Sequence, residues 1–94
     1  MSTSEARIAT KLATRYLSQL CKHFAHRLPV TLEDTTGSIT FGMGICNLAS
    51  SPDTLVLRAT SETAEQRGEL EGVVARHLER FAFREPVTIV WEEK

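Results

Sequence analysis

Five side chains in this sequence carry donor atoms suited to a metal ion: Cys21, His23, His26, Cys46 and His77. Thiolate and neutral imidazole are preferred ligands of zinc and of several transition metals. Three of the five fall within the stretch Cys21-Lys22-His23-Phe24-Ala25-His26, so the local backbone decides which of them can act together. On a helix, at about 100° per residue, Cys21 and His23 point about 160° apart and cannot reach one ion, whereas His23 and His26 lie about 60° apart and can. The residues divide into an interior set, Cys21 with Cys46 and His77, and a surface pair, His23 with His26. Neither has the spacing of paired CxxC motifs. The plainer reading makes the cysteines small core residues and His77 a core histidine bonded to a carbonyl. His23 and His26 then simply finish a helix, where cations are favoured.

A second set is cationic. Lys11, Arg15, Lys22 and His26 fall within about 60° of arc on a helix, and no acid occurs between Ala6 and Leu32. Residues 1–32 hold five cations against Glu5 alone, while the remainder holds six against eleven acids, for a formal net charge of −1. A face of this kind suits an acidic partner docking through Lys11, Arg15, Lys22 and Arg27, with no cofactor involved. No aromatic residue interleaves with the cations for base stacking, which argues against nucleic acid. No nucleophile elbow, phosphate-cradling loop or HExxH helix is present, and Gly42-Met43-Gly44 fits strand geometry better than phosphate binding. A non-enzymatic role is the expectation.

The elements that must position these groups follow from periodicity. Leu12, Ala13, Tyr16, Leu17, Leu20, Cys21, Phe24 and Leu28 repeat at helical spacing, which predicts a helix from about Lys11 to Arg27 with Thr10 as its cap and Pro29 as its stop. Alternating apolar residues predict strands at Pro29–Asp34, Ser38–Phe41, Ile45–Ala49, Thr54–Ala59 and, after a second helix, Val87–Glu92. Turns are expected at Asp34-Thr35-Thr36-Gly37, where glycine would take a positive φ, at Gly42-Met43-Gly44 and at Ser50-Ser51-Pro52-Asp53. The second helix is expected to be capped by Ser61 and to bury Leu70, Val73, Val74, His77, Leu78 and Phe81. Gly68 and Gly72 inside it each cost about 1 kcal/mol relative to alanine, which points to a packing reason. Ser4–Ala9 reads as a short additional strand in front, at a sheet edge. The fold class expected is α+β: two layers, an antiparallel sheet of four to six strands with two helices on one face.

Ninety-four residues fit a single domain, 1–94. A 41% hydrophobic and 24% charged composition excludes a disordered chain. No apolar run approaches the roughly 18 residues of a membrane helix, and the N-terminal residues lack a secretory pattern. Two cysteines are then expected as free thiols in the cytoplasm, and no cofactor is expected to be required for folding.

Leu20-Cys21-Lys22-His23-Phe24-Ala25-His26 and His77-Leu78-Glu79-Arg80-Phe81-Ala82-Phe83-Arg84-Glu85 resemble the two signature stretches of a bacterial family, domain of unknown function 2218. Arg15-Tyr16-Leu17 and Gly44-Ile45-Cys46 are similar to it too. The resemblance carries no catalytic assignment. By analogy it implies an accessory role in metal, iron or siderophore handling, because some members of that family occur joined to siderophore-interacting flavin reductases. It gives further weight to His23, His26, Cys46 and His77 as contact residues.

Overall fold

The computed structural model describes residues 1–94. Eight elements follow in chain order: β1 (Ser2–Ala9), α1 (Ala13–Phe24), β2 (Val30–Leu32), β3 (Thr36–Phe41), β4 (Gly44–Ser50), β5 (Thr54–Ser61), α2 (Ala64–Phe81) and β6 (Trp91–Glu93). The strands form one antiparallel sheet in the order β2-β3-β4-β5-β1-β6. Both helices pack on the same face, α1 over β2 to β5 and α2 over β4, β5 and β1. This is the two-layer α+β arrangement that the patterning implies.

The period of two along each strand explains the sheet. Ile8, Ala6 and Ser4 on β1 face inward opposite Leu55, Leu57 and Ala59 on β5, and Leu48 and Cys46 on β4 continue the rows to Ile39 on β3. The alternate residues, Glu5, Arg7, Arg58 and Asn47 among them, face solvent. There Glu5 lies 3.2 Å from Arg7 and 3.8 Å from Arg58. The helices supply the opposing layer through Ala13, Tyr16, Leu17, Leu20 and Cys21, and through Leu70, Val74 and Leu78.

Several expectations are corrected. The leading strand is neither short nor at an edge: β1 lies between β5 and β6. The edges are the three-residue β2 and β6. Helix α1 is shorter than its apolar stripe, so Lys11 and Arg27 lie beyond its ends. Leu12 occupies the cap position without a side-chain bond. Thr10 instead accepts from the Leu12 amide at 3.0 Å and donates to Glu85 at 2.5 Å. Thr63, not Ser61, caps α2, accepting from the Gln66 amide at 3.1 Å. Ser61 ends β5, and its hydroxyl is buried without a partner. The last strand covers Trp91–Glu93 only; Val87 and Ile89 pack against the core without joining the ladder.

The glycines act differently from the turn reading. Gly37 has no positive φ and pairs within β3 opposite Leu32. Its missing side chain admits α1, since a Cβ there would stand 2.5 Å from the Cys21 sulfur and 3.3 Å from the Thr31 carbonyl. Gly44 carries the positive φ, +156°. Gly68 has nothing within 4 Å of a Cβ, and Gly72 meets only the flexible end of Arg76, so neither marks a close approach.

A polar network crosses between the layers where β1 meets α2. Ser4, 1% exposed, donates to Glu71. Arg67 lies 3.3 Å from Glu71, donates to Ser2 at 2.7 Å and reaches Glu93 at 3.1 Å. Arg67 and Glu71 keep only 16% and 18% of their side-chain surface. The network ties β1 and β6 to α2 where apolar contacts thin out.

Candidate functional site

The structure separates the five candidate ligands into two places. Cys21 and Cys46 are fully buried free thiols, one on α1 and the other on β4 between Ile39 and Ala59. Burial, reinforced by the neighbouring Cys21 thiol, pushes Cys46 up to about 12, although a backbone hydrogen bond from Arg58 opposes the shift. Burial raises Cys21 as well. Thiolate is the nucleophile and the metal ligand, so both sulfurs are inert at neutral pH. His77 does not join them, and no three Cys, His, Asp or Glu side chains converge as a metal cage. The interior set of Cys21, Cys46 and His77 therefore does not close.

The buried thiols give a direct prediction. Native protein at about pH 8 is expected to resist iodoacetamide throughout a period in which urea-unfolded protein takes a label on each cysteine. Intact-mass analysis reads the result, and rapid labelling of either thiol in the native state would contradict its place in the core.

His77 meets His23 instead. Their ring centroids are 5.0 Å apart, and an aromatic cluster surrounds them: Phe24 lies 4.8 Å from His77 and 4.9 Å from Phe41, and Phe81 lies 5.7 Å from His23. The helices explain the meeting, because the exposed end of α1 carries His23 beside the last turns of α2. The Nδ1 atom of His77 lies 2.7 Å from the Val73 carbonyl. A carbonyl only accepts, so Nδ1 carries a proton and donates, and in the tautomer this favours Nε2 is the remaining acceptor or ligand atom. His23 is shifted below the ordinary imidazole value, first by desolvation, then by His77, Arg80 and His26. That shift favours its uncharged form.

These rings border a cavity of about 530 Å³ with Phe24, His26, Arg27 and Leu28. No carboxylate lines it. The expected surface pair of His23 and His26 thus shares the cavity with His77, which the apolar stripe of α2 had assigned to the interior.

The four cations taken for partner docking are all exposed, and none lies within 4.0 Å of a carboxylate, where Arg7, Arg58 and Arg67 do. They are not all on α1, which carries only Arg15 and Lys22. Arg15 borders a separate cavity at the start of the helix, Arg27 borders the histidine cavity, and Lys11 lies in the turn before the helix.

Sequence reasoning missed the cavity beside Arg15, which is about 330 Å³ and is also bordered by Tyr16, Gln19 and Arg84. Tyr16 counted as one more apolar-stripe residue. The available signal was Gln19, a polar residue three positions on from Tyr16 and therefore on the same side of the helix.

No helix is long and apolar enough to cross a membrane. A search of curated proteins finds no match. Among solved structures, the chain is similar to the NMR structure of PA4090 from Pseudomonas aeruginosa. The two are 35% identical, with 98% of this chain and 96% of that chain covered and a TM-score of 0.83. The stretches that resemble a bacterial family lie on α1 and at the end of α2, where both cavities form. The model of that family, described as uncharacterised protein conserved in bacteria, domain of unknown function 2218, matches residues 5–92, and the chain belongs to it.

Proposed function

We propose that the protein is a small non-enzymatic binding module of the cytoplasm that takes up an anionic metal chelate at the His23–His77 cavity. One observation carries this reading: a carbonyl holds a His77 proton on Nδ1, favouring Nε2 as the acceptor beside a His23 shifted toward its uncharged form, in a cavity without a carboxylate. Two imidazoles do not enclose an ion, so the ligand brings the remaining donors itself. Arg27 on the rim matches the negative charge of such a chelate, and the aromatic walls match an organic shell. The family resemblance favours ferric iron as the metal by analogy, because some members occur joined to siderophore-interacting flavin reductases. Two buried free thiols suit a reducing compartment.

Thermal unfolding with ferric citrate, haem and Zn²⁺ tests the reading. A ligand at a hundred times its Kd stabilises by about 2.7 kcal/mol, which is about 10 °C or more in Tm for a chain of this size. A shift of that kind that disappears in His77→Ala is expected for at least one iron chelate. A Tm indifferent to all three, or a shift that persists in His77→Ala, would remove the proposal.

A second reading is a cofactor-free interaction domain docking an acidic partner, such as the flavin reductase, through Lys11, Arg15, Lys22 and Arg27. The absence of any ion-pair partner for these four cations favours it. It predicts reductase binding that weakens steeply with salt and is lost in Lys11→Glu/Lys22→Glu. Binding indifferent to both would exclude it.

A further inference from the structure

The cavity beside the N-terminal half of α1 has a different chemistry and does not depend on the imidazoles. It opens between the first turns of α1 and the segment that leaves α2. Leu12, Phe81 and Phe83 form its apolar side, while Arg15, Arg84 and Glu85 supply charge. Tyr16 and Gln19 complete the lining.

Four of these groups have unused bonding capacity. Tyr16 is only 3% exposed, and no protein group hydrogen-bonds its hydroxyl. The side-chain oxygen of Gln19 is buried without any partner. Buried polar atoms are ordinarily satisfied, and an orphan calls for an explanation. Arg15 and Arg84 have no carboxylate within 4.0 Å, although Arg84 sits 5.4 Å above the Phe83 ring, which steadies it. Glu85 is held by the Thr10 hydroxyl, so its carboxylate is fixed in place on the wall.

Each feature specifies part of a ligand. Two guanidiniums ask for a carboxylate, which they bind through paired N–H donors. The Gln19 oxygen and the Glu85 carboxylate both accept, so they ask for a hydroxyl or amino donor on the same molecule. Phe81, Phe83 and Leu12 ask for an apolar body, and one ring or branched chain fits the volume. A simple inorganic anion meets only the first requirement and is repelled by Glu85.

We propose that this cavity binds a small apolar acid bearing a hydroxyl or amino group, its carboxylate on Arg15 and Arg84 and its donor on Gln19 and Glu85. The Tyr16 hydroxyl donates to the carboxylate from within the wall. The site is a second one: it has no lining residue in common with the histidine cavity, although Phe81 on its wall lies 5.7 Å from His23, and it stands whether or not the histidines take up a chelate.

Amide NMR titration of the full chain tests this with phenyllactate and phenylalanine as probes. Phenylpropionate, which lacks the donor, and inorganic phosphate, which lacks the apolar body, serve as comparisons. Saturable shifts centred on Tyr16, Gln19 and Arg84 are expected for at least one probe, with both comparison compounds about tenfold weaker or more. Arg84→Gln is expected to weaken the probe about tenfold or more. Gln19→Leu is expected to erase the preference over phenylpropionate, and His77→Ala to change nothing. The proposal is overturned if neither probe saturates by about 10 mM, if phosphate or phenylpropionate binds equally well, or if folded Arg84→Gln binds like the natural protein.

Discussion

Replacing Gly44 by alanine is expected to cost about 3 to 5 kcal/mol, from forced overlap plus a disfavoured backbone angle. A Cβ there would overlap the Ser61 hydroxyl and the Thr60 carbonyl, and would stand 3.1 Å from Leu70. The hydroxyl could rotate away. The carbonyl cannot, because Thr60 pairs with Ile45 in the ladder that joins β4 to β5. The φ of +156° at Gly44 adds strain for any residue with a side chain. A chain of this length has a total stability of about 5 to 14 kcal/mol, so the variant should lose much of it and melt about 15 °C lower or more. Gly42 is the comparison: nothing lies within 4 Å of its Cβ position, and alanine there should cost under about 1 kcal/mol. Urea denaturation followed by circular dichroism reads both. Equal midpoints for the two variants would mean that the turn is built differently.

Leu57→Ala is expected to be of similar severity, about 3 to 4 kcal/mol. Leu57 is fully buried on β5, flanked by Ala6 on β1 and Leu48 on β4. Neither alanine nor strand backbone can move in to fill the space, so the lost contacts remain as a cavity. The adjacent Val56 points to the open face and is only half-buried. Val56→Ala should cost about 1 kcal/mol or less. If the two losses were equal, the assignment of faces along β5 would be wrong.

Local patterning predicted both helices and the strands from β2 to β5, though not the helix caps. The stripe from Ala13 to Phe24, the alternation of Leu55 and Leu57, and the Ser50–Asp53 turn were all legible, because one face of each element is apolar. β1 was underestimated for a physical reason. Its inward face is Ser4, Ala6 and Ile8, and Ser4 qualifies as an interior residue only because Glu71, far along the chain, accepts its hydroxyl. β6 was overestimated because alternation at Val87 and Ile89 reports burial rather than ladder pairing.

The candidate site followed the same division. Helical arithmetic correctly parted Cys21 from His23, since both lie on one element. It could not say which stretch of α2 faces α1, and so it grouped His77 with the thiols rather than with His23. The cavity beside Tyr16 was invisible for a related reason: a tyrosine on an apolar stripe looks the same whether its hydroxyl is sealed in or opens onto a cleft.

The position of β1 governs the order of folding. Strands β3, β4 and β5 join through turns of a few residues and can zip together on their own. The two neighbours of β1 are β5 and β6, both far along the chain, so pairing Ser2↔Ser61 closes most of the chain and Ser4↔Glu93 nearly all of it. Loop-closure entropy makes such pairing late and slow. During synthesis the first strand made is thus among the last to dock, and until then the open edge of β5 is a template for the wrong neighbour.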